Sequence, residues 1–284
     1  MPLFMLVVFY FTINKNTPIS PESITIGVLP DVSSEKIKQN YQPFIKYLEE
    51  YIGIRVKLTI PEDYQDLVTQ FREKKVDLAL FGGLTLIKVV DFYDAEALVT
   101  REVDTRFTSW FITQNDNTST TLADFKGKSI VFGSQLSTSG HLMPRYFLQE
   151  IFNQPVELYF EDVTFSGSHD NTILSIAQRK ADLGVVNSQV AQTMLRDGTV
   201  TNNQIKKIWE SPPYMDYCWA VNNGLSEQFK RKLRDAFLNL SMTNPIHKEM
   251  LNNLNAKIFL PADMRDFARL KTIAMNLKLL NKED

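Results

Sequence analysis

Residues 24–83 read ITIGVLPDVSSEKIKQNYQPFIKYLEEYIGIRVKLTIPEDYQDLVTQFREKKVDLALFGG, and this stretch decides the fold class. Residues 24–29 (ITIGVL) form a short apolar run that suits a buried strand. Over residues 35–51, continued by Ile52, the side chains Ile37, Tyr41, Phe44, Ile45 and Leu48 recur at steps of three and four and share one helix face. Gly53 stands where that helix must stop. Residues 55–60 (RVKLTI) alternate as a half-buried strand does, 63–74 return to helical spacing, and 76–81 (VDLALF) make another buried run closed by Gly82-Gly83. Three strands and two helices in so short a span call for a parallel sheet flanked by helices.

The same alternation resumes further on. Residues 122–127 read as a short helix, 129–132 (SIVF) as a strand, 140–152 as a helix, 156–165 as a strand and 168–180 as a helix. Residues 182–186 (DLGVV) read as a strand and 188–196 as a helix. Short strands at 107–113 and 217–221 flank this block. Residues 226–279 look helical and pack most economically on the first unit, so the chain crosses between two units twice. The length of 284 residues suits two lobes better than one core.

Composition narrows the function. Hydrophobic residues make up 44% and charged residues 23%, which is ordinary for a globular protein. The formal net charge is −2, so no strong basic field invites a nucleic-acid backbone. The single cysteine, Cys218, rules out an intramolecular disulfide and a cysteine-based zinc site. Residues 3–13 (LFMLVVFYFTI) have the length of an export signal's apolar region and are too short for a membrane span. A basic start, a cleavage site and a lipid-accepting cysteine are not evident there, so an uncleaved tether stays open.

In open parallel sheets ligands gather beyond the carboxyl ends of the strands. Those ends fall here at Leu29-Pro30, Gly82-Gly83, Gly133-Ser134, Phe165-Ser166 and Asn187. Ser137-Thr138-Ser139-Gly140 puts three hydroxyls at a helix start, where unpaired amides and the helix dipole also favour an anion. A plain Ser/Thr cap is the alternative. Phe165-Ser166-Gly167-Ser168-His169-Asp170 is a second junction, where His169 can donate to an oxyanion or simply pack.

With those motifs go DYQDLVTQFREKKVDLALFG from Asp63, LADFKGKSIVFGSQLSTSGHLMP from Leu122, VTFSGSHDN from Val163, ADLGVVNSQV from Ala181 and IWESPPYMDYCWAV from Ile208. Their order resembles the phosphate/phosphite/phosphonate family of ABC-transporter substrate-binding proteins, from about residue 24 to beyond 240. The resemblance implies a type-II periplasmic binding protein fold of class α/β. Its two doubly wound lobes are joined by a two-strand hinge: residues 24–106 with 220–284, and 107–219, with hinge strands at 107–114 and 212–221. It assigns Ser137, Thr138, Ser139 and His169 to the phosphonyl oxygens, Tyr64 to closure over the ligand and Asn187 to the cleft.

Departures from the family pattern bear on the ligand. Members that take aminoalkyl phosphonates carry Glu where this chain has Gln189, and a second carboxylate aligns with Tyr217, one residue past Asp216. A bare ammonium in such a cleft is poorly compensated, so the expected ligand has no amine: phosphite, a short alkyl phosphonate or phosphate. Trp110, Tyr214, Tyr217 and Trp219 stand as walls for an apolar substituent or as hinge and core packing.

An enzyme is disfavoured. Asp170 adjoins His169, a poor geometry for a triad, and GxSxG, HExxH, GxGxxG and P-loop patterns are missing. His141 and His247 read as isolated surface residues. The expectation is a monomeric periplasmic or extracytoplasmic solute-binding protein without cofactor or metal. It hands a small phosphorus oxyanion to an ABC permease and has no nucleic-acid partner. An extracytoplasmic sensor lobe, or a phosphonate-acting enzyme, are the alternatives.

Overall fold

The computed structural model describes residues 21–282. The apolar run at 3–13, predicted to serve export, lies outside them. The chain runs β1 (Ser23–Val28), α1 (Ser34–Ile52), β2 (Arg55–Thr59), α2 (Tyr64–Arg72), β3 (Leu78–Phe81), α3 (Gly83–Tyr93), β4 (Ala95–Arg101) and β5 (Ser109–Gln114). A 3₁₀ turn (Leu122–Phe125) leads to β6 (Ser129–Phe132), and a π-helical turn (Thr138–Leu142) runs into α4 (Met143–Phe152). Then come α5 (Val156–Tyr159), β7 (Asp162–Phe165), α6 (His169–Ala177), β8 (Leu183–Asn187), α7 (Ser188–Arg196), β9 (Ile205–Glu210) and β10 (Cys218–Asn222). The chain closes with α8 (Glu227–Leu238), α9 (Pro245–Asn253), β11 (Phe259–Pro261) and α10 (Ala268–Asn276).

The strands form two sheets, ordered β11-β4-β10-β3-β1-β2 and β7-β6-β8-β5-β9. In the first sheet β2, β1 and β3 are parallel, as the opening stretch requires. Ser33 caps the start of α1, and Gly53 ends it with φ of +75°, a conformation glycine adopts without a Cβ penalty. The buried stripe of α1 carries the residues read from the sequence. Phe44 packs on Trp219 and Phe237 with ring centroids 6.0 and 5.0 Å apart. Burying each such side chain stabilises the lobe by about 1.5–3 kcal/mol. The C-terminal helices contribute Phe229, Leu233, Phe237, Leu251 and Ile273 to this first core.

The structure departs from the sequence reading at several points. Both sheets are mixed: β10 runs antiparallel to β3 and β4, β11 to β4, and β5 to β8 and β9; of these strands β4, β9 and β11 were unanticipated. Residues 156–165 are not one strand. Pro155 caps the short helix α5, which buries Val156 and Tyr159, and only Asp162–Phe165 pairs with β6. Cys218 and Trp219 pair in register with Phe81 and Leu80, so the chain has joined the first sheet by residue 218. The crossings are bridged at Phe107 and Tyr214, which exchange amide-to-carbonyl bonds of 2.8 and 3.0 Å, with Ser211 N–H and Asp216 N–H donating to the Ser109 and Asp104 carbonyls on either side; β5 and β10 belong to different sheets. His141 is buried rather than on the surface. Its Nδ1 lies 2.7 Å from the Gln135 carbonyl, its Nε2 accepts from Arg145, and burial pushes its pKa down to about 4. His247 is half-buried against the Tyr47 ring.

Candidate functional site in the interlobe cleft

The carboxyl ends of β1 and β3 in one sheet face those of β6, β7 and β8 in the other, and the cleft residues follow directly from these ends. Gly82 opens α3 without a side-chain cap. Its first amides are met by side chains from elsewhere in the chain: Leu84 N–H donates across the cleft to Thr138 Oγ1 at 2.9 Å, and Gly83 N–H donates to Asp216 Oδ1, on the second crossing, at 3.0 Å. Free helix-start amides need such acceptors, so one lobe caps the other's helix.

Ser137 caps its own turn, accepting from Gly140 N–H at 2.9 Å. The main-chain carbonyl of Ser139 accepts from Ser109 Oγ at 2.7 Å, while its buried hydroxyl has no partner among the described residues. His169 is fully buried at the start of α6. Its Nδ1 accepts from Asn187 N–H at 3.2 Å, so Nε2 carries the proton and points toward Ser137 Oγ at 3.5 Å. Burial pushes this imidazole down to about 4 and keeps it neutral. The Asn187 side chain donates to the Tyr217 hydroxyl at 3.1 Å, and its oxygen caps α7 through Gln189 N–H and Val190 N–H.

Eight of the nine sequence-predicted residues are therefore packed together: Tyr64, Ser137, Thr138, Ser139, His169, Asn187, Asp216 and Tyr217 are all buried. Gln189 stands apart from them, half-buried on the wall of an adjoining cavity of about 350 Å³ that Asn187 and Tyr217 also line. That cavity opens beside the hydroxyl cluster, between Leu29, Ile37 and Tyr41 of one lobe and Leu174, Val190 and Met194 of the other. Of the four aromatics considered as walls, Trp219 lies in the first core, against Tyr41, Phe44 and Phe237. Tyr214 packs at the crossing on Phe107 and Phe147. Trp110 holds Lys207 over its ring, and only Tyr217 faces the cavity.

Sequence reasoning missed Asp31. It follows the strand end Leu29-Pro30, a junction singled out in the sequence to which no side chain was assigned. Tyr64 donates its hydroxyl to Asp31 Oδ1, and the Asp31 main-chain carbonyl accepts from His169 N–H at 3.2 Å. Burial pushes the Asp31 carboxyl up to about 6 against the pull of Tyr64, Tyr217 and Arg101, and pushes Asp216 up to about 7. The cleft thus holds two reluctant carboxyls beside hydroxyl, imidazole and amide donors. Among the described residues no cluster of side chains suited to a metal occurs.

Such an array can grip a small tetrahedral anion without a formal positive charge. The model of the phosphonate-type periplasmic substrate-binding proteins of ABC transporters matches residues 26–267. The chain belongs to this family. It is 29% identical to a probable phosphite-binding protein of an ABC transporter from Prochlorococcus marinus, over 91% of each chain. It is 30% identical to a phosphate-import protein of Mycolicibacterium smegmatis, over 76% of this chain and 71% of that one. The solved structure of the Prochlorococcus marinus protein with methylphosphonate superposes with a TM-score of 0.85 at 29% identity, covering 91% of this chain and 99% of that one. The family member is a substrate-binding protein with the type-II periplasmic fold, capturing phosphorus oxyanions outside the cytoplasm for an ABC importer, and is not an enzyme.

Proposed function

We propose that this protein captures phosphite, a short alkyl phosphonate or phosphate through Ser137, Thr138, Ser139, His169, Tyr64 and Tyr217, with Asn187 and Asp216 holding those donors in place. The observation that carries the reading is the burial of these side chains in one cluster drawn from both lobes, including a Ser139 hydroxyl with no hydrogen-bond partner among the described residues. Hydrogen bonds from neutral donors to an anion are charge-assisted and roughly twice as strong as neutral ones. The names of the Prochlorococcus marinus and Mycolicibacterium smegmatis relatives support the ligand class. Gln189 in place of the family's Glu supports a ligand without an amine.

In this reading residues 24–106 with the C-terminal segment, and the residues between the two crossings, close as two lobes around the ligand. The protein works as a monomer, and residues 3–13 direct export; fractionation of the tagged protein distinguishes release from retention as a tether. Isothermal titration with phosphite, methylphosphonate, phosphate, sulfate and 2-aminoethylphosphonate tests the proposal. Binding of at least one amine-free phosphorus species, tighter than sulfate, is the expected outcome. Silence toward every phosphorus species removes the ligand class, and a strong preference for the aminoethyl compound removes the argument from Gln189.

A further inference from the structure

Three groups assigned above to the ligand converge on the Asp31 carboxyl. Tyr64 donates to its Oδ1, the Tyr217 hydroxyl bonds the same carboxyl, and His169 Nε2 stands 3.9 Å from Oδ1. The side chain is 18% exposed and lines the 350 Å³ cavity, so it lies at the boundary between the hydroxyl cluster and the open space. The charged and titratable groups facing it are Tyr64 on α2, Tyr217 ahead of β10, Arg101 ending β4, and His169 with Asp170 on α6. Tyr41 on α1 and Asp216 feel its charge from further away. Arg101, the cation in this group, is already held by Asp104 through two bonds of 2.7 Å.

An oxyanion that takes the Tyr64, Tyr217 and His169 donors must therefore lie against a carboxylate. Two bare negative charges in so enclosed a site repel strongly. One proton between them replaces repulsion with a short charge-assisted hydrogen bond. We propose that Asp31 makes the cleft select for the proton on its ligand: the acid monoanion, whose P–OH donates to the Asp31 carboxylate, is the bound form, and sulfonates and sulfate, with no proton to give, are turned away. This rests on the phosphorus-oxyanion reading of the same cleft. Phosphorus acids of this type hold their second proton to near neutrality, as a phosphate monoester does to about pH 6. Sulfonates and sulfate do not.

The test is titration of methylphosphonate into the wild type and Asp31→Asn in paired buffers of different ionisation enthalpy, at about pH 6.5 and about pH 8.5. The wild type should take up close to one proton per ligand at the higher pH. Its affinity should fall about tenfold per pH unit above the ligand's second pKa. Asp31→Asn should lose most of that uptake and bind methanesulfonate at least about tenfold more tightly than the wild type does. Methylphosphonate binding by the wild type without proton uptake overturns the role of Asp31 and needs no variant to fold. Uptake that persists in Asp31→Asn overturns it too, as does a preference for 2-aminoethylphosphonate that Asp31→Asn abolishes, because Asp31 would then be an ammonium partner. If the wild type binds no methylphosphonate, phosphite or phosphate, the reading of the cleft itself falls.

Discussion

At the scale of single residues, the cleft works through protonation states set by neighbours. Asn187 N–H fixes the His169 tautomer by donating to Nδ1, and burial holds the ring neutral, so Nε2–H faces the hydroxyl cluster at any pH above about 4. His169→Ala removes that donor and leaves the Asn187 amide unpaired. Affinity for methylphosphonate should fall about 10- to 100-fold, equivalent to the roughly 1.5–3 kcal/mol of a hydrogen bond to a charged group, while circular dichroism shows the fold retained. Loss of the fold would assign the ring to packing alone. Asp216 behaves in the opposite sense to the imidazole. Its folded pKa is raised to about 7 from 3.8, so its contribution to stability is fully present below 3.8 and is lost as pH rises through 7. Asp216→Asn stays neutral and can still accept from Gly83 N–H. Its melting temperature relative to the wild type should therefore rise between pH 5 and pH 8, by an amount reflecting roughly 2–4 kcal/mol at most. A difference that does not change with pH counts against the buried charge. Of these residues the hydroxyls, His169 and Asn187 were legible, because strand-to-helix junctions mark a cleft. Asp31 was not, since a carboxylate beside an anion site contradicts simple charge matching.

At the scale of elements, the turn Thr138–Leu142 shows where local pattern stops being informative. The hydroxyl triplet and Gly140 announce a helix start, yet the backbone makes a five-residue π turn before α4 begins at Met143. The reason is tertiary. A Cβ on Gly140 would lie 2.8 Å from His169 Cε1, 3.0 Å from Ser137 Oγ and 3.2 Å from Gly133 Cα. Gly140 is thus required for close approach between this turn, the end of β6 and the start of α6. Gly140→Ala should cost about 1–3 kcal/mol of stability by overpacking and displace His169, so that thermal denaturation and methylphosphonate titration report parallel losses. Unchanged values for both would mean the turn yields easily. The misread segment 156–165 teaches a related point. Val156, Tyr159 and Phe160 already stand at helical steps, but four residues are too few for periodicity to outweigh a run of β-favouring side chains. The antiparallel strands β4, β9 and β11 escaped for another reason: their partners lie far along the chain, and β9 has a half-exposed face.

At the scale of the whole molecule, the opening βαβαβ run was enough to specify one parallel core and the need for a second, because its helices and sheet end leave a binding edge. The way the lobes meet was not legible, since it depends on bonds between residues far apart in sequence. Four of these span the cleft: Thr138 to Leu84, Asp31 to His169, Asn187 to Tyr217, and the ion pair Lys36–Asp197 at 3.3 Å. Their worth differs with solvent. Lys36 and Asp197 have side chains 39% and 32% exposed, so their attraction is screened and contributes about 0–1 kcal/mol. The Thr138 hydroxyl and the Leu84 amide are buried, and an unpaired amide there costs about 1–3 kcal/mol. Thr138→Val keeps the shape, removes the acceptor, and exacts that cost only when the lobes are together, because water satisfies Leu84 N–H when they part. Solution scattering with saturating methylphosphonate should then show a larger radius of gyration for Thr138→Val than for the wild type, whereas Lys36→Ala should match the wild type within error. The reverse ranking would mean that charge at the rim, rather than the helix start of α3 capped from across the cleft, holds the closed form.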